Sequence, residues 1–204
     1  MANLVYRMVL VILLLGCLTS FGWGMRRFFI RPERIAPGMR ITSILAPAFT
    51  FVHLGVLATA YDLTLARSVM GALLYAAACG LFWWAVRANR TQPLPACFSP
   101  NRKPHLTQTG PYGFVRHPFY CSYLLTSFAG VAATGRLWLL PTALIMLALY
   151  GVAARGEERD FANGPLAGEY QNYRRRTGRF FPNPWKLLVR VSNPTGSGPL
   201  LRKF

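Results

Sequence analysis

The chain has 204 residues, 53% of them hydrophobic, and a formal net charge of +17. That length bounds it to one domain. A basic soluble protein would point to nucleic acid, but the sequence has neither an organised basic face nor a recognisable binding module, so no nucleic-acid partner is expected.

Charge and apolar residues are segregated along the chain. Residues 8–24, 41–61, 68–86, 118–135 and 137–154 carry no charge. Each run is near the roughly 20 residues that a helix needs to cross a bilayer. The expected fold is therefore all-α: a polytopic membrane protein with five transmembrane helices, near 4–24, 41–61, 68–88, 118–134 and 137–156.

The first run has only Arg7 ahead of it and no small-residue cleavage site behind it, so it reads as a retained helix rather than a secretory signal. A short link, 62–67, predicts an antiparallel hairpin of the second and third helices. The third ends in the aromatic stretch "FWW" before Arg87, an interfacial belt. Pro47 and Pro141 fall inside predicted helices and are expected to kink them, which membrane helices tolerate. Residues 89–117 form a long connection, and long connections are often functional. Only "TGR" parts the last two runs, so the fourth and fifth helices form a tight hairpin. The remainder is expected to make a cytosolic C-terminal cap. Within it, "PWKLLVRV" suits a peripheral amphipathic segment and the last dozen residues look disordered.

The organisation is thus a three-helix membrane region at 1–88, a core at 89–182 and an interfacial or disordered tail at 183–204. Orientation follows from the basic residues. Segments 25–40, 87–117 and 155–204 hold twenty, and the opposite side holds three: Arg7, Arg67 and Arg136. The positive-inside rule then puts the N-terminus outside and the C-terminus in the cytosol. The same charges attract anionic membrane lipids. Cys17, Cys79, Cys97 and Cys121 have no zinc spacing and read as small apolar residues.

Two stretches carry candidate chemistry. "TGPYGFVRHPFY", residues 109–120, sets Arg116 and His117 before Pro118. "RGEERDF", residues 155–161, holds Glu157, Glu158 and Asp160. Helices of these lengths rise about 25 and 30 Å, so both stretches return to one interface, and hairpin helices pack about 8–10 Å apart. Arg116, His117, Glu157 and Glu158 should therefore be neighbours. Pro118 suits a first helical turn and pushes His117 out of the helix. The free N–H groups of that turn favour an anion. Tyr112 and Tyr120 flank the corner, and the glutamates form a cation-binding corner. S-adenosyl-L-methionine, with a carboxylate, an ammonium and a sulfonium, fits both corners, and aromatics can cover its cationic sulfur. Taken singly, Arg116 reads as a snorkelling anchor, and the glutamates as partners of Arg155 and Arg159 at a solvated helix end.

The stretch "TGPYGFVRHPFY" resembles the signature of the isoprenylcysteine carboxyl methyltransferase family, membrane-integral S-adenosylmethionine-dependent enzymes. The later "EERDF…EYQNYRRRTGRFFP" is similar to that family's C-terminal block. The resemblance covers about residues 89–182. It implies cofactor contacts at Leu106, Thr107, Gly110, Tyr112, His117, Tyr120, Glu157 and Glu158, and catalytic roles for Arg116 and Glu158. Phe161 stands where the family usually has Leu, Gly113 where a larger residue is common, and "GPLAG" replaces the usual residues before the tyrosines.

The implied activity is methyl transfer to a lipidic or small hydrophobic acceptor, such as the carboxylate of an isoprenylcysteine-like compound. A phospholipid amine is the alternative acceptor. A nicotinamide-dependent membrane reductase and a non-enzymatic membrane protein are the other classes. The compact chain, rich in Arg and Ala, points to a prokaryotic source and hence to the inner membrane.

Overall fold

A computed structural model of the chain describes residues 1–29, 37–90 and 105–183. The tail segment "PWKLLVRV" and the expected disorder beyond it lie outside the described residues, as do Arg31, Arg34, Cys97, Arg102 and Lys103. The described chain is helical: α1 (Ala2–Trp23), which runs on through a π-helical turn at Gly24–Phe28, α2 (Pro37–Thr59), α3 (Leu65–Ala88), α4 (Pro118–Thr134), α5 (Leu140–Ala162) and α6 (Ala167–Arg176). Among the described residues, four segments are long and apolar enough to cross a membrane: Ala2–Phe28, Pro37–Thr59, Leu65–Ala88 and Leu137–Ala162. The remaining predicted span is α4, 17 residues long.

What distinguishes α4 is burial. Ala129, Gly130, Val131, Ala133 and Thr134 are all inside the bundle, as is most of its first half. Small side chains let neighbouring backbones approach closely, the usual basis of helix packing in membranes. Gly71 of α3 lies against Ala133, and α3 is the helix on which α4 packs most extensively. The aromatic pair Tyr120–Tyr150, with centroids 5.0 Å apart, and a cluster of Leu124, Met146, Ala153 and Ala154 join α4 to α5. At its far end α4 stops at Gly135, whose φ of 67° is the left-handed conformation that glycine supplies without steric cost.

Three expectations change. The short link after α2 does not make a packed α2–α3 pair. Instead α2 lies against α1, α4 and α5, and the Nε2 of His53 meets Thr142 Oγ1 of α5 at 2.8 Å. Pro141 falls in the first turn of α5, after a 3₁₀ turn at Leu137–Leu139, where a missing N–H costs nothing. Finally, α5 does not stop near residue 156 but continues to Ala162, so Glu157 and Glu158 belong to its last turns.

Candidate active site

The start of α4 and the end of α5 meet. His117 is the N-cap of α4, with φ −126° and ψ 64°, outside the helical region as expected before Pro118. Arg116 donates from Nε and Nη2 to Glu158 Oε1, both at 3.0 Å, and from Nη1 to the Thr177 carbonyl at 2.6 Å. His117 Nε2 lies 3.3 Å from Glu158 Oε1, and its Nδ1 lies 3.4 Å from Glu157 Oε2. The four residues singled out by helix geometry form one cluster. Its two corners are in direct contact.

A fifth member comes from the C-terminal segment. Arg179 donates from Nε to Glu158 Oε1 at 3.0 Å and from Nη2 to Glu158 Oε2 at 2.7 Å, a two-pronged carboxylate grip. Glu158 therefore faces two guanidinium groups and an imidazole. Its side chain is 7% exposed, Arg116 is 8%, His117 is 9%, and Glu157 is more open at 16%. Burial disfavours a charged His117, but the hydrogen bonds and charges of Glu157 and Glu158 outweigh it and raise its pKa above the ordinary 6.5.

Backbone pairing delivers Arg179 to this place. Residues 114–117 and 178–179 run side by side as a short parallel strap, with a bridge between Val115 and Gly178. The N–H of Arg116 donates to the Gly178 carbonyl at 2.9 Å, that of His117 to the Arg179 carbonyl at 3.2 Å, and that of Gly178 to the Phe114 carbonyl at 3.3 Å. A Cβ at Gly178 would run into the Phe181 carbonyl, so this turn has room only for glycine. Arg179 is not among the residues singled out by the sequence; it follows the Arg174–Arg176 run, which is exposed on α6. The available signal was the "TGRFFP" that follows that run.

Aromatic rings continue from the cluster. His117 stacks on Tyr120 at 5.4 Å and 9°, and Tyr120 stacks on Tyr150 at 5.0 Å and 13°. The Tyr120 hydroxyl donates to Glu157 Oε1. A carboxylate beside stacked rings is an arrangement that receives an organic cation.

The 105–113 segment stands beside these groups and is held by its own network. Thr107 Oγ1 donates to Asn89 Oδ1 at 2.6 Å, and Asn89 Nδ2 donates to the Tyr112 hydroxyl at 3.0 Å. Gly110 opens the 3₁₀ turn Gly110–Gly113 with φ 60°. Leu106 packs into an aromatic core of Phe28, Phe82, Tyr112, Phe119, Tyr170 and Tyr173. Tyr173 of α6 donates to the Tyr112 carbonyl at 2.8 Å, and Gln108 Nε2 to Glu169 at 2.6 Å, so α6 clamps this segment. Burial pushes the Tyr112 phenol pKa up, and the charge of Glu157 adds to the shift. Thr107 and Tyr112 are thus tied to Asn89 at the end of α3, Gly110 lies against Trp84 and Ala88, and Leu106 packs among the aromatic rings, while Arg116, His117, Tyr120 and the glutamates form the cluster between α4 and α5. Asn89, Tyr173, Thr177 and Arg179 hydrogen-bond to these residues and were not singled out by the sequence.

Residues 66–164 match the phospholipid methyltransferase family, a membrane methyltransferase family related to the isoprenylcysteine methyltransferases. No curated protein and no solved structure gives a match. The matched stretch runs from α3 to the end of α5 and includes Arg116, His117, Glu157 and Glu158. The match and the long apolar helices are consistent with a membrane methyltransferase.

Proposed function

We propose that the protein is an S-adenosylmethionine-dependent methyltransferase acting on a membrane lipid, with its donor site between the Glu157 carboxylate and the 106–112 segment. The observation that carries this reading is the meeting of Glu157, His117 and Tyr120 at the mouth of α4. Glu157 is the more exposed of the two glutamates, and it lies against stacked rings. The donor has a cationic amine and sulfonium, and the Glu157 carboxylate and the Tyr120 ring suit both charges. When bound it supplies an already activated methyl group, so the protein's task is alignment and exclusion of water.

Roles divide within the cluster. All three Arg116 nitrogens are engaged, so Arg116 and Glu158 act by holding His117 and the strap in place. Glu157 is the group to contact the donor ammonium, and Tyr120 and His117 orient it. A carboxylate acceptor would need no base. An amine acceptor must lose a proton to a general base. The family match is compatible with a phospholipid amine as acceptor as well as with an isoprenylcysteine-like carboxylate. The α4 helix serves as a fifth crossing, which puts the N-terminus outside the inner membrane and this site in the cytosol.

Calorimetric titration in detergent tests the donor site. S-adenosylmethionine and its demethylated product should each give saturable heat. Glu157→Gln should weaken that binding by about tenfold, the loss of one charged hydrogen bond. No heat with either compound would sink the reading. Turnover of a nicotinamide cofactor in the same preparation would then point to a reductase, and neither signal to a non-enzymatic protein.

A further inference from the structure

On the outer face of α5, next to the buried cluster but not part of it, lies an open groove of about 450 Å³ lined by Leu147, Ala148, Gly151, Arg155, Arg179, Phe180 and Phe181. Its chemistry is graded along the helix. Leu147, Gly151 and Arg155 stand one turn apart on one face, so the groove runs about 12 Å along α5 from apolar residues to a guanidinium. Phe180 and Phe181 form the opposite side, and Phe181 is 79% exposed.

The polar end has unspent positive charge. Arg179 grips Glu158 through Nε and Nη2, and its side chain keeps 32% exposure. Arg155 is exposed and makes no ion pair with another described residue. Its guanidinium folds back to within 3.9 Å of where a Cβ on Gly151 would stand. Gly151 thus leaves the trough open below the charge. Two guanidinium groups above an apolar trough, at the end of a membrane-crossing helix, are complementary to one kind of molecule. It has a phosphate at the interface and a hydrocarbon chain beneath it.

We infer that this groove binds a phosphate-bearing membrane lipid, its phosphate between Arg155 and Arg179 and one acyl chain along Leu147, Ala148, Gly151 and Phe181. Arg179 then contacts both the lipid phosphate and Glu158, so an occupied groove abuts the buried cluster. This inference does not rest on the methyl-transfer reading, because the lipid is held by residues outside the proposed donor contacts.

Native mass spectrometry of the detergent-solubilised full chain, titrated with phosphatidylglycerol and without methyl donor, tests it. One lipid should be retained. Arg155→Ala should lower its apparent affinity by about tenfold, the scale of one charge-assisted contact. Gly151→Trp, which fills the trough from a position whose Cβ would meet only the Arg155 guanidinium within 4 Å, should abolish retention. Arg87→Ala removes an exposed interfacial arginine elsewhere and should change nothing. Uncharged diacylglycerol should not be retained, and soluble glycerol phosphate should not compete. Wild-type retention in both groove variants, an equal loss in Arg87→Ala, equal retention of diacylglycerol, or displacement by glycerol phosphate would each overturn the proposal. Donor heat measured on the same variants keeps the two readings separate. Lost lipid with intact heat supports the groove alone, and lost heat with intact lipid concerns the donor site alone.

Discussion

The two ends of α4 each carry an arginine–carboxylate pair, and the two pairs differ in everything except bond length. At the far end Arg136 meets Asp62 at 2.8 Å, with side chains 37% and 40% exposed. At the near end Arg116 meets Glu158 at 3.0 Å, with side chains 8% and 7% exposed. The first joins two surface turns in water, where Coulomb attraction is screened and ordering two side chains offsets most of the gain. The second belongs to a buried network in which each group satisfies another, and where removing one member strands the rest. Distance alone says little about what an ion pair does. Burial and the number of partners decide it.

Breaking the buried end gives the largest expected effect. Glu158→Ala leaves Arg116 and Arg179 without their carboxylate partner and takes one of two from His117. Loss of a buried partner of this kind costs about 3–5 kcal/mol, to be read from detergent-induced unfolding. A loss under ~1 kcal/mol, the scale of an exposed pair, would erase the contrast between the ends. Gly178→Ala comes next. The new methyl group would strike the Phe181 carbonyl and displace the strap that carries Arg179. Overpacking costs about 1–3 kcal/mol, and donor heat should fall with it although residue 178 lies outside the proposed donor contacts.

Much of this difference was legible in the sequence. Five uncharged runs gave the helices, and the rise of two helices brought Arg116 and His117 to Glu157 and Glu158. Three things were hidden, each for a physical reason. Hydropathy treats every apolar run alike, so it cannot rank α4 as the innermost. Its only local mark is the small-residue set Ala129, Gly130 and Ala133. A short link after α2 fixes that the chain reverses, not that the two helices pack, and α2 turns instead to α5 through His53 and Thr142. The strap at Val115 and Gly178 joins two short segments far apart in sequence. Such pairing has no periodicity to detect, and with it went the place of Arg179.

Smaller effects sharpen the comparison. His117 has a raised pKa, so its charged form contributes stability that is fully present below the ordinary 6.5 and is lost as pH rises through the higher folded-state value. Unfolding followed across that window should show stability falling with pH, and His117→Gln should flatten the curve. A wild-type curve that rises with pH there would show that the imidazole is held neutral. The smallest effect belongs to the exposed pair. Asp62→Asn removes one charge from a contact whose members are more than a third exposed, so Arg136 simply regains water. The expected loss is about 0.2–1 kcal/mol and should shrink further as salt is added, since screening acts on exposed pairs first. The buried cluster should keep its contribution across the same salt range. If both ends responded to salt alike, water would have access to Glu158, and the distinction drawn from burial would fail.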